Sequence, residues 1–160
     1  MINLKMICVG KMKERFYIEA CGEYSKRLST YCRLEIRELQ ESKLPDSPSG
    51  AQTAAALEKE AAAILSEIPK GAAVIAMCVE GEKKSSEEFS AAIRSLAEKG
   101  ASKLCFIVGG SNGLSDEVKR SADIRLSVSD MTFPHHLFRV MLLEQIYRAF
   151  KILNNEKYHK

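Results

Sequence analysis

The sequence predicts an α/β fold: a mostly parallel sheet with helices on both faces. Three observations carry this. Apolar, β-branched runs recur at residues 2–9, 72–79 and 103–108. Segments with helical spacing of apolar residues lie between them. Turns rich in glycine, serine or proline separate the two kinds of segment, so strand and helix alternate along the chain.

The elements follow in order. Residues 2–9 (INLKMICV) read as a first strand. Residues 14–28 carry Phe16, Ile18, Ala20, Cys21, Tyr24 and Leu28 at an imperfect helical spacing. Residues 33–39 alternate in the manner of a strand, and residues 44–50 (LPDSPSG) form a loop with two prolines and a glycine. Residues 51–68 are alanine-rich, with Leu57, Ala61, Ile64 and Leu65 on one helical face, and Pro69-Lys70-Gly71 ends that helix. A buried strand at 72–79 follows. Ser85-Ser86-Glu87-Glu88 is an N-cap signal for a helix to about Lys99. Another buried strand spans 103–108, then a glycine-rich turn at 109–113. Ser115 caps a short helix to about Ala122, residues 124–128 form a last strand, and a long helix spans 135–154 after Phe133-Pro134. The length fits one domain, 1–160, with no internal repeat.

Composition excludes several classes. No apolar run approaches the length needed to cross a bilayer. Five scattered cysteines (Cys8, Cys21, Cys32, Cys78, Cys105) contain no CxxC pair, so neither a zinc site nor a redox motif is indicated. Free thiols and the lack of an export signal predict a cytoplasmic protein. The net charge of +3 is compatible with a polyanionic partner. Basic residues gather at Lys11, Lys13 and Arg15, at Lys26 and Arg27, and from Arg139 to Lys160.

In an open α/β sheet, ligands bind outside the carboxyl ends of the strands. Three such ends are unusual here: Met77-Cys78-Val79-Glu80-Gly81, the stretch from Ile107 through Gly109-Gly110-Ser111-Asn112-Gly113, and the stretch from Val128 to Pro134. The middle one is neither a GxGxxG fingerprint nor a P-loop, and a structural tight turn fits it as well as a ligand loop. No nucleophile–base pair is evident. Adjacent His135 and His136 point in different directions on a helix and make a poor chelating pair. Paired carboxylates are missing at the strand ends, so a chemistry that relies on positioning is favoured over one that needs a metal. The last helix places Glu144 four residues before Arg148, which fits an intrahelical ion pair. It is apolar over so much of its girth that it predicts a homodimer packed through this helix. The chain ends on Tyr158-His159-Lys160, a tail suited to folding back into a site.

Four ordered segments, IVGGSNGL (107–114), MTFPH (131–135), EQIYRAFK (144–151) and YHK (158–160), resemble the bacterial ribosomal large-subunit pseudouridine methyltransferase family of the SPOUT class. The opening VGK (9–11) and EYSKRL (23–28) extend the resemblance over the whole chain. It implies a C-terminal trefoil knot and a homodimer. It implies methylation of N3 of a pseudouridine in 23S rRNA of the ribosome, with S-adenosylmethionine as donor and neither metal nor membrane involved. By motif, the cofactor contacts would be Met77, Gly109, Val128, Ser129, Asp130, Met131, Thr132 and Phe133. The family carries an acidic residue near Met77-Cys78 that this chain lacks, with Glu80 as the nearest acid. Arg148, Tyr158 and His159 are the expected catalytic groups, with His159 as proton acceptor. Arg139, Lys151, Lys157, Lys11 and Lys13 are expected to meet rRNA phosphates. Two rival readings are a non-catalytic ribosome-binding factor on the same fold, and a nucleotide-binding protein that uses GGSNG for phosphate.

Overall fold

The structure is a computed structural model and describes residues 1–158. Its elements are β1 (Ile2–Val9), α1 (Arg15–Leu28), β2 (Cys32–Leu39), α2 (Gly50–Glu67) and β3 (Ala73–Lys83), then α3 (Ser86–Glu98), β4 (Lys103–Val108), α4 (Asp116–Ser121), β5 (Ile124–Ser127) and α5 (His135–Leu153). The sheet order is β2-β1-β4-β3-β5, and every pairing is parallel.

Alternation along the strands divides the core between two faces. Leu4, Met6 and Cys8 of β1, with Leu104, Phe106 and Val108 of β4, pack beneath α1, α3 and α5. Ile7 and Val9, with Val74, Ala76, Cys105 and Ile107, pack beneath Ala61 and Ile64 of α2 and Val118 of α4. Strands buried on both faces read as continuous apolar runs, which is why the sequence shows no polar alternation there. Three helices, α2, α3 and α4, begin where serine supplies a cap. Ser49 and Ser85 each form a reciprocal capping box, with Gln52 and Glu88, and the Ser115 hydroxyl accepts from the Val118 N–H.

Two features differ from the sequence reading. First, β3 runs past Val79 to Lys83. Residues 78–81 bulge outward, so that Met77 and Glu82 both stand opposite Leu126 of β5. Gly81 makes this possible, because a Cβ there would lie 2.5 Å from the Leu126 carbonyl carbon. Second, α5 lies between α1 and α3 on the sheet. Leu142, Leu143, Ile146, Ala149 and Phe150 are buried within the chain. Much of the apolar girth that pointed to a partner subunit is therefore covered internally. Val140 and Met141 stay half-buried, on a cavity of about 520 Å³ shared with Tyr24, Phe89 and Glu144.

Candidate active site

A cavity of about 440 Å³ opens at the carboxyl edge of the sheet, between the ends of β3, β4 and β5. Its size is that of a small-molecule site. All three unusual strand ends meet there. Met77, Cys78, Val79 and Glu80 form one wall, residues 109–113 a second, and Val128, Ser129, Met131, Thr132 and Phe133 a third. His135 and Phe138, from the first turn of α5, complete the lining.

Of the eight residues expected to contact a cofactor, seven line the cavity. Asp130 does not: it sits at the tip of its turn, where the carboxylate meets Lys83 Nζ at 2.5 Å and is largely exposed. The turn folds this way because the Ser129 hydroxyl accepts the Met131 N–H at 3.0 Å and the buried Ser127 hydroxyl donates to the Ser129 carbonyl at 3.1 Å. Glu80 lines the cavity, but its carboxylate is paired with Lys119 of α4. That hydrogen bond, together with the Lys119 charge, holds Glu80 below the usual carboxylate range.

The GGSNG segment is both a tight turn and a cavity wall. The Gly113 N–H donates to the Gly110 carbonyl at 3.1 Å, and a Cβ on Gly109 would lie 2.6 Å from the Gly113 oxygen. A residue that sequence reasoning missed anchors it. Glu41, just beyond β2, accepts the Ser111 N–H at 2.7 Å, and its carboxylate packs where a Gly110 Cβ would stand. Burial works to raise the Glu41 pKa. The Ser111 hydrogen bonds and the nearby His135 and His136 outweigh burial and hold it low. A carboxylate already occupying a loop N–H speaks against a phosphate cradle there, and with it against the nucleotide-binding rival. On the far side of Glu41, His135 is kept below its ordinary pKa by burial first and by the neighbouring His136 second. His136 in turn meets Glu14 at 2.7 Å.

Arg139 overturns an expectation. It is 2% exposed and cannot reach an RNA phosphate. Its guanidinium donates to the Val9 carbonyl at 2.9 Å, the Gly10 carbonyl at 2.7 Å and Glu38 at 2.8 Å. It is a strut that holds the end of β1 to α5.

The catalytic candidates lie elsewhere. Arg148 is paired with Glu144 at 2.7 Å, as the i,i+4 spacing implied. Tyr158 donates to the same carboxylate at 3.2 Å, and its ring lies 4.8 Å from the Arg148 guanidinium carbon. Neither lines the 440 Å³ cavity. Their partner Glu144 instead borders the 520 Å³ cavity, which shares residues 126–128 with the first. His159 lies outside the described residues. Among the described residues, no group of three or more His, Cys, Asp or Glu side chains is arranged to hold a metal ion, and no helix is long and apolar enough to cross a membrane.

The fold and cavity define a parallel α/β protein with a cavity of small-molecule size where three strand ends meet. A search of solved structures returns the same architecture. A probable methylase family protein from Haemophilus influenzae Rd KW20 matches with a TM-score of 0.54 at 15% identity, over 98% of this chain and 70% of that one. The family described as "Predicted SPOUT methyltransferase" matches residues 2–159, and the chain belongs to it. Relatives named ribosomal RNA large subunit methyltransferase H are 52% identical in Clostridium perfringens and 48% identical in Clostridium kluyveri and Clostridioides difficile. Each match covers 99% of this chain and 100% of the relative.

Proposed function

We propose that this chain transfers a methyl group from S-adenosylmethionine to N3 of a pseudouridine in 23S rRNA, acting as a cytoplasmic homodimer. The observation that supports it most is the meeting of three strand ends on one cavity, in a chain of the SPOUT family. The relatives' shared name supports the large-subunit rRNA as substrate. The C-terminal trefoil knot implied by the resemblance belongs to the same reading.

Met77, Gly109, Val128, Ser129, Met131, Thr132 and Phe133 would hold the donor, with Asp130 contributing only backbone because its carboxylate faces Lys83. When bound, S-adenosylmethionine supplies a methyl group on a sulfonium. The apolar walls at Leu114, Leu126 and Phe138 would keep water from that methyl. The acceptor imide must lose its N3 proton. Arg148 would stabilise the developing anion, Tyr158 would stack or donate a hydrogen bond, and His159 would take the proton. Within one chain Arg148 and Tyr158 stand away from the donor cavity, so in the homodimer the tail of one protomer would complete its partner's site.

Calorimetric titration with S-adenosylmethionine, with NAD and ATP as controls, tests the donor, and methyl transfer to large ribosomal subunits tests the acceptor. Selective binding followed by transfer is expected. Binding of NAD or ATP instead would overturn the reading. Donor binding without transfer to any ribosomal particle would favour a non-catalytic ribosome-binding factor.

A further inference from the structure

The segment between β1 and the first turn of α1 is held at three points. Arg139 grips the Val9 and Gly10 carbonyls. The Met12 N–H donates to Glu38 at 2.9 Å, and the Met12 side chain is buried. Glu14 meets His136 at 2.7 Å. A segment pinned in this way does not need to leave a large apolar side chain in water, yet Phe16 is 63% exposed. Its ring leans on Tyr17, with centroids 4.2 Å apart and planes at 57°. Flanking it, Lys11 and Lys13 are exposed and make no ion pair among the described residues.

An exposed aromatic ring beside two cations without ion pairs has the composition of a surface for single-stranded nucleic acid. Bases splay out and stack on such rings while lysines meet the phosphates. The location suits a substrate as well. His136, the partner of Glu14, directly follows His135, which lines the donor cavity. The same segment begins at Gly10, where a Cβ would lie 3.9 Å from His135 Nε2.

We propose that residues 11–16 form a nucleotide-docking platform. Phe16 stacks on an unpaired RNA base near the methylated nucleotide, and Lys11 and Lys13 contact the flanking phosphates. This rests on the RNA-methyltransferase reading above and names how that site selects its strand. A second copy of the chain is the rival occupant, since Ile18 and Ile36 are also exposed; RNA is favoured because Lys11 and Lys13 make no ion pair among the described residues and a polyanion would neutralise both.

The test compares Phe16→Ala, Phe16→Trp and the double variant Lys11→Gln/Lys13→Gln with the unaltered chain. Because Phe16 is exposed, its truncation should leave the melting temperature and the affinity for S-adenosylmethionine unchanged. The KM for large ribosomal subunits should rise on the order of tenfold in Phe16→Ala and return in Phe16→Trp, the range expected for one stacked base. The lysine double variant should lower the salt dependence of RNA binding by about one to two units of log–log slope. An unchanged KM in Phe16→Ala overturns the platform, as does a loss that tryptophan fails to restore. A Phe16→Ala chain that changes oligomeric state in sedimentation also overturns it, in favour of a copy interface. Should the unaltered chain transfer no methyl group, the enzymatic reading fails on its own. The platform is then read from fluorescence anisotropy of a labelled single-stranded RNA, and equal binding by Phe16→Ala and the unaltered chain overturns it.

Discussion

Replacing Arg139 with alanine separates a structural strut from an RNA contact. In the folded chain its guanidinium makes three charge-assisted hydrogen bonds, to the Val9 and Gly10 carbonyls and to Glu38, from a side chain 2% exposed. Truncation leaves the two carbonyls without their donor, at about 1–3 kcal/mol each, and opens a cavity against α1 and β1. Glu38 loses less, because it is one-third exposed and can rehydrate. The two unpaired carbonyls and the cavity together cost about 3–5 kcal/mol. For a chain of this length each kcal/mol lowers the melting temperature by about 2–4 °C, so a fall of about 6–20 °C is expected in scanning calorimetry. Arg139→Met restores the volume without the hydrogen bonds and should recover part of the loss. A melting temperature within about one degree of the unaltered chain, together with weakened RNA binding, would refute this reasoning and return Arg139 to the RNA surface.

Other perturbations follow from the same geometry. Glu41→Ala should weaken S-adenosylmethionine binding by about five- to tenfold, the worth of one net hydrogen bond, while Glu41→Gln keeps an acceptor for Ser111 and stays near the native affinity in calorimetry. Deleting residues 158–160 should abolish methyl transfer and spare donor binding, and unchanged turnover would remove the tail from the chemistry. Gly81→Ala forces a Cβ to within 2.5 Å of the Leu126 backbone and should lower the urea midpoint by an amount equal to about 1–3 kcal/mol. Burial holds His135 below its ordinary pKa, so the unfolded chain binds that proton more readily. The stability it contributes is present above a pH of about 6.5 and lost as the pH falls through the lower folded value, and His135→Gln should flatten that part of the stability profile.

What the sequence reveals and what it hides divide along one physical line. Strands β1, β3 and β4 are legible because burial on both faces demands unbroken apolar runs, and Ser85 and Ser115 mark helix starts because capping is a local need. The walls of the cavity are legible for the same reason: a strand end that turns tightly must spell the turn in glycine, as Gly109 does against Gly113. The pins that hold those walls are not. Glu41 and Ser111 stand 70 residues apart, and nothing beside Glu41 distinguishes it from a solvated acid. The extension of β3 to Lys83 depends on a pairing with β5 across a bulge, so the polar Glu80-Gly81-Glu82 reads as the end of a strand. Arg139 and Arg148 look alike as cations on one amphipathic helix. Only the path of β1 beneath α5 buries the first, while the second keeps the Glu144 partner that its i,i+4 spacing implied and has the Tyr158 ring beside it. The same path has a structural consequence. Arg139 holds Val9 and Gly10, Glu41 holds Ser111, and both act beside His135, so the lysine-bearing segment after β1 and the glycine wall of the cavity are braced against a single helix start.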